Sequence, residues 1–180
     1  MKKIACSVFI ASLLLVHCTP QQRTMPDQAP KPEEFSNGQP SLHFSDTDFE
    51  MDYPNWPNID TSALPNPEKT KVAVSNEGCT FLLNVAPLPE RAAFKDYVEQ
   101  QLQDQTKNSV IRITAKDIGE KTAHVRAEIH TGNILILSET YEFLTSKSRY
   151  FGVGLVASPE VFNRVCAPLM REMVGSVVVK

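Results

Sequence analysis

No motif in this 180-residue chain spells out a reaction. G-x-S-x-G, H-E-x-x-H, C-x-x-C and a phosphate-binding glycine loop are all missing, and these are the short patterns whose residue types and spacing imply a mechanism on their own. No Ser, His and acid set stands at a spacing that sequence alone would assemble. Basic patches with interleaved aromatics are missing too, which removes the usual footprint of a nucleic-acid binder. The N-terminal apolar run, Ile4 to Val16, is interrupted only by Cys6, Ser7 and Ser12. As a helix it would be roughly 20 Å long at 1.5 Å per residue, whereas a bilayer core of about 30 Å needs more. Preceded by Met1-Lys2-Lys3, it reads as a secretory signal segment and not as a membrane span.

Leu15-Val16-His17-Cys18 closes this segment and resembles the lipobox of bacterial lipoproteins. Leu15, Val16 and Cys18 fit that pattern, and His17 stands where a small residue is usual. The resemblance implies a lipid anchor on Cys18 of a cell-envelope protein. Two acyl chains at about 0.8 kcal/mol per buried methylene are enough for stable membrane attachment. Ordinary signal cleavage after Cys18, releasing an unanchored product, is the alternative. Thr19 stands where an aspartate often marks inner-membrane retention, which tilts the expectation toward the outer membrane.

Cysteine is scarce, and its placement agrees with export. Of four cysteines, Cys6 leaves with the signal and Cys18 carries lipid, so Cys79 and Cys166 remain. A pair in an oxidising compartment predicts one disulfide; two buried free thiols are the other reading. Without residues 1–18 the chain keeps 16 Lys+Arg against 21 Asp+Glu, a formal charge of about −5. That balance argues against charge-driven binding to anionic lipid, and its size suits one domain with one core.

Residues 19–40 hold five prolines (20, 26, 30, 32 and 40) among polar residues and lack the apolar surface to order themselves. They are expected to form a tether that as a flexible coil would span about 25 Å. From residue 41 the apolar period becomes two. Phe49, Met51 and Tyr53 alternate with Asp48, Glu50 and Asp52 as in a half-buried strand, which ends at Tyr53-Pro54-Asn55-Trp56-Pro57. Residues 71–75 and 79–85 read as a hairpin around Asn76-Glu77-Gly78. An amphipathic helix is predicted over 90–107, with Phe94, Val98 and Leu102 on one side. Four strands follow, near 110–117, 122–130, 134–144 and 149–157, separated by turn residues. Ser158-Pro159-Glu160 has the composition of a helix start. It opens a helix over 159–174 with Val161, Val165, Leu169 and Met173 inward, in which Pro168 must produce a kink or a split. Val177 to Val179 are expected to pack at a sheet edge.

The predicted fold class is α+β: a mostly antiparallel seven-stranded sheet flanked by helices, in the order βββ-α-ββββ-α. This order resembles the α/β/α sandwich of the photosystem extrinsic protein PsbP, the Ran-binding Mog-type import factors and bacterial DcrB-type lipoproteins. The resemblance covers 41–180 and is carried by the strand ending in Tyr53-Pro54-Asn55-Trp56, the helix after Pro89, the four-strand meander and the Ser158-Pro159 helix. It implies a docking module that binds other proteins.

Candidate site residues are few, and none is assigned a catalytic role. His124, Arg126, Glu128 and His130 share one face of a strand. Two imidazoles and a carboxylate suggest a metal, but six residues of strand separate the histidines by about 20 Å, too far for one ion with ligand bonds near 2 Å. A solvated or partner-binding face is the expectation. Asp46, Asp48, Glu50 and Asp52 stand at alternate positions without the glycine turn and terminal acid of a calcium loop, so a solvated edge is expected. Gly152 and Gly154 mark either close helix approach or a groove for a partner or small ligand. Trp56 is a core plug or an exposed anchor. The expected function is a non-enzymatic envelope lipoprotein that binds a protein partner, with no cofactor and no metal. A small-ligand or metal-binding envelope protein, or a hydrolase, are the alternatives. Partner identity and oligomeric state stay open.

Overall fold

The computed structural model describes residues 35, 38–62, 64, 67–107, 110–145 and 148–180. Cys18, the signal segment and most of the predicted tether lie outside them. Phe35 is buried in the larger core, and the Pro40 carbonyl accepts from the Asn55 amide, so packing onto the domain begins ahead of residue 41. Among the described residues, no helix is long and apolar enough to cross a membrane.

The element order is β1 (Ser41–Ser45), β2 (Phe49–Pro54), β3 (Thr70–Asn76), β4 (Cys79–Pro87), α1 (Phe94–Thr106), β5 (Ile111–Ile118), β6 (Thr122–Thr131), β7 (Ile134–Leu144), β8 (Arg149–Ala157), α2 (Pro159–Val161), a π-helical segment (Phe162–Cys166), α3 (Ala167–Gly175) and β9 (Val178–Val179). The fold class is α+β with antiparallel pairing, but the seven-stranded sheet is not what forms. A six-stranded sheet has the order β3-β4-β8-β7-β6-β5, and a separate three-stranded sheet has the order β1-β2-β9. The opening strand pairs with Ser41–Ser45 and with the apolar C-terminal tail instead of joining the large sheet. Strand alternation reports which face is buried and is silent about which neighbour supplies the hydrogen bonds.

The β3–β4 hairpin turns where expected. Glu77 and Gly78 both adopt positive φ, 49° and 82°, between the paired Asn76 and Cys79. This is the backbone of a two-residue turn whose twist matches its strands. Helix α1 begins at Phe94 and not near residue 90, because Arg91 sits at φ 64°, outside helical space.

The C-terminal helix carries the largest local departure. Pro168 has no amide hydrogen, and just before it the ladder widens so that the Ala167 amide donates to the Phe162 carbonyl, five residues back. The extra residue in that turn rotates the inner stripe. Phe162, Cys166, Leu169, Met170 and Met173 are buried, while Val161 and Val165, predicted inward, lie at its margin. Ser158 occupies the cap position with Pro159 and Glu160 in the first turn, but its side chain caps no amide.

Two layers of apolar contact flank the large sheet. On one face Phe49 and Met51 of β2 and the C-terminal helix meet Phe81, Leu83, Phe151, Val153 and Leu155, and the Phe49 and Phe151 rings stack 3.7 Å apart. Cys79 and Cys166 are disulfide-bonded within this layer, joining β4 to the π-helical segment. On the other face α1 packs Phe94, Val98 and Leu102 against Ala123, Val125 and Tyr150.

The small sheet is clamped to the large one by charge. Arg149, at the start of β8, donates to Asp48 Oδ2 at 2.9 Å and to Asp46 Oδ2 at 3.2 Å. The acidic row is therefore not one continuous solvated edge: Asp46-Thr47-Asp48 forms the β1–β2 turn and Asp48 is buried, while the partly exposed Glu50 pairs with Lys180 and the partly exposed Asp52 with His43. Hydrogen bonds from Thr47, and then Arg149, hold the Asp46 carboxyl below its ordinary range. Arg149→Ala leaves the Asp48 carboxylate buried without this partner. Because the arginine is itself about one-third exposed, the expected loss is on the order of 2 kcal/mol, less than for a fully buried pair. Urea unfolding at pH 7 checks it.

Candidate functional site

Two regions gather the polar side chains that the cores do not use. The first is the face of β6 opposite α1. Ala123, Val125, Ala127 and Ile129 point to the α1 side and are buried, so strand alternation sends His124, Arg126, Glu128 and His130 the other way. The small sheet and C-terminal helix cover the middle of that face and leave its β5–β6 half accessible. Arg112, Arg126 and His130 side chains are 75, 51 and 53 % exposed.

The β6–β7 register pairs His124 with Tyr141, Arg126 with Glu139 and Glu128 with Leu137. Glu139 is 2 % exposed and its Oε1 accepts from Arg126 Nε at 2.8 Å, while His124 Nε2 lies 2.7 Å from the same oxygen. The His124 ring stacks on Tyr141, centroids 4.1 Å apart and planes 10° from parallel. Burial, and next the Glu139 charge, raise the Tyr141 phenol above its ordinary pKa. Farther along, Glu128 approaches Arg112 at 3.6 Å and His130 at 3.5 Å. The four predicted residues thus share one surface, but they form two ion-paired sets. Among the described residues no group of three or more His, Cys, Asp or Glu side chains is placed to hold a metal. Sequence reasoning missed Glu139 and Tyr141, which stand across from the residues it named. The available signal was the second alternation in β7, Leu137, Glu139, Tyr141 and Phe143 on one side of the strand.

The second region lies on the α1 face. Gly152 pairs with Asn84 on β4 and with Glu142 on β7, and Glu142 pairs with Ala123 on β6. In the next row Gly154 stands between Leu82 and Thr140. Both glycines are buried, as are Asn84, Ser138, Thr140 and Glu142. Among the described residues Glu142 has no cationic partner there, and burial alone pushes its carboxyl up to about 7. Trp56 belongs to neither region; at 7 % exposure it packs into the larger core.

No protein-family model matches the chain, and no curated protein does. Its three-layer build does occur in solved structures. The cyanobacterial PsbP of Synechocystis sp. PCC 6803 superposes with TM-score 0.59 at 14 % identity, covering 78 % of this chain and 92 % of its own. The Saccharomyces cerevisiae Ran-binding protein Mog1p gives 0.51 at 10 % identity, covering 78 % and 96 %. This chain has the PsbP/Mog fold. Protein PA94 of Pseudomonas aeruginosa, of unknown function, is also similar, with TM-score 0.53, 13 % identity and coverage of 78 % and 97 %. At these identities the likeness is one of architecture. In this PsbP/Mog fold the β6 face carries the ion pairs of Glu139 and Glu128, and the α1 face carries the buried Glu142.

Proposed function

We propose that this chain is an envelope lipoprotein, anchored through Cys18, whose PsbP/Mog-fold domain is a non-catalytic module that binds a protein partner on the β6 face. The observation that carries this reading is the Glu139 carboxylate, buried under Arg126 and His124 while the arginine stays half exposed. An arginine held in one geometry loses little freedom when it docks, and arginine is enriched where binding energy concentrates. Mog1p, which shares the fold, is a Ran-binding protein; this supports a protein-binding use of the architecture and says nothing of which partner this chain meets. The anchor and the proline-rich stretch up to residue 40 would hold the domain off the membrane with reach to find it.

A photo-crosslinking residue at Arg126 or His130 in intact cells is expected to give one discrete adduct. The same residue at Lys95, on the outer side of α1, is expected to give none. Glu139→Ala releases both anchored side chains and should weaken capture at His130 by about tenfold or more, the loss that goes with 1.4 kcal/mol at a truncated anchor. Equal labelling from Lys95 and His130 would remove the β6 face from the reading. Mass spectrometry of the mature N-terminus tests the anchor separately, the expected product beginning at an acylated Cys18.

A further inference from the structure

The large sheet ends at β5, and among the described residues no strand lies on its outer side. An edge of this kind is a ready template for another chain, and proteins usually blunt it with charge or a bulge. β5 carries both, in an arrangement that matches itself. Arg112, Thr114, Ala115, Lys116 and Asp117 are exposed, and the pairing with β6 shifts by one residue between Ile113 and Ala115.

That shift decides which groups face outward. The His130 amide donates to the Val110 carbonyl, and the Gly119 amide to the Thr122 carbonyl; antiparallel bonds alternate from there. Counted from each end, Arg112, Ala115 and Asp117 turn their backbone groups toward β6, while Ile111, Ile113, Lys116 and Ile118 turn theirs away. The same register sets these four opposite Ile129, Ala127, Val125 and Ala123 on the α1 face, and sets Arg112 and Asp117 opposite Glu128 and His124 on the other. Without the extra residue the two halves of β5 would be out of step. With it, β5 run antiparallel to a second β5, about a two-fold axis between Thr114 and Ala115, keeps both alternations. Ile111 then meets Ile118, Ile113 meets Lys116, and Arg112 meets Asp117, while Thr114 and Ala115 take up the bulge at the axis. An axis through Arg112 or through Asp117 would instead set like charges opposite each other, which destabilises a sheet. There is also room for the second strand. A groove of about 380 Å³ lies between α1 and β5, lined by Glu99, Leu102 and Thr106 on the helix and by Ile113 and Lys116 on the strand.

We propose that β5 pairs with β5 of a second copy of this chain, joining two six-stranded sheets across a two-fold axis. Each Arg112, 75 % exposed and 3.6 Å from Glu128 within its own chain, gains the second copy's Asp117 as a cross-strand partner. The second copy's Lys116 lays its stem over the groove beside Glu99. In a two-fold contact each of these pairs occurs twice. Eight residues of strand make a small interface, so the expected dissociation constant is on the order of 10 μM. The pairing is independent of what docks on the β6 face.

Sedimentation equilibrium of the full chain, isolated from cells in a density-matched non-ionic detergent, is expected to show monomer and dimer in exchange. Arg112→Asp and Asp117→Arg each create two like-charge pairs and are expected to weaken the dimer about tenfold or more. The double variant R112D/D117R recreates both opposite pairs and should return to within about threefold of the wild type. Within one chain the two positions are about 17 Å apart, too far to rescue each other except between copies. Hydrogen exchange of the wild type, above and below the dissociation constant, gives a readout that no variant's folding can disturb. The Ile113 and Lys116 amides should slow at the higher concentration, and those of Arg112 and Asp117, which face β6, should not. A monomer at about 100 μM, single variants that dimerise as well as the wild type, a double variant as weak as the singles, or exchange at Ile113 and Lys116 that ignores concentration would each overturn the proposal.

Discussion

Replacing Cys79 and Cys166 together by alanine is expected to lower the unfolding free energy by about 4–5 kcal/mol and Tm by roughly 10–20 °C. The bond closes a loop of 87 residues that contains α1 and strands β5 to β8. In the chain-entropy picture, cutting it returns to the unfolded chain the freedom of a long loop, and the cost grows with the logarithm of that length. Packing adds to it, because both cysteines are fully buried among Phe81, Phe162 and Leu169. Urea unfolding of the wild-type protein, with and without reductant, and of the double variant checks this. The reduced wild type should track the variant, and midpoints that coincide with the oxidised protein would show that the bond adds nothing.

The second large effect is electrostatic and has the opposite sign to most carboxylate effects. The Glu142 carboxyl rises from an ordinary value of 4.5 to about 7 in the folded protein because burial disfavours its charge. Between those two values the folded state holds a proton that the unfolded state has released, so stability falls as pH rises through this window and levels off above about 7. The accumulated loss is on the order of 3 kcal/mol. Glu142→Gln keeps the shape and removes the titration. Its stability should stay flat where the wild type declines, so that the variant is the more stable of the two at pH 8 and close to parity at pH 5. Denaturant midpoints for both proteins at half-unit pH steps provide the measurement. Parallel curves would mean that water or a structural shift compensates the buried charge.

These two groups were not equally legible in the sequence. The disulfide followed from counting the cysteines that remain once Cys6 and Cys18 are assigned to the expected signal segment and anchor. Glu142 drew no attention, because an acid inside an alternating strand reads as solvent-facing unless both sides of that strand are covered. Covering is a property of the tertiary arrangement: α1 lies over one face and the small sheet over part of the other. The four-strand meander and both helices were readable because their periods and turn residues are local. Division into two sheets was not, since β2 and β9 meet across some 130 positions and no local pattern encodes that pairing. The acidic row from Asp46 to Asp52 misled for the same reason. Its cations, Arg149 and Lys180, come from far along the chain, and the turn at Asp46-Thr47-Asp48 breaks what alternation presented as one strand. His124 and Arg126 were found as a face, while the buried carboxylate that fixes them lay one hairpin away.

The pairing of β2 with β9 also has a kinetic side. A two-stranded ribbon is marginal in water, and β1 with β2 can recruit its third strand only after some 125 further residues have left the ribosome. Until then Phe49 and Met51, which end among the most deeply buried side chains, stay uncovered on the nascent chain. A topology closed by its most distant contact is slow to lock, so the emerging polypeptide stays incompletely folded for longer than a fold completed from its leading end would allow.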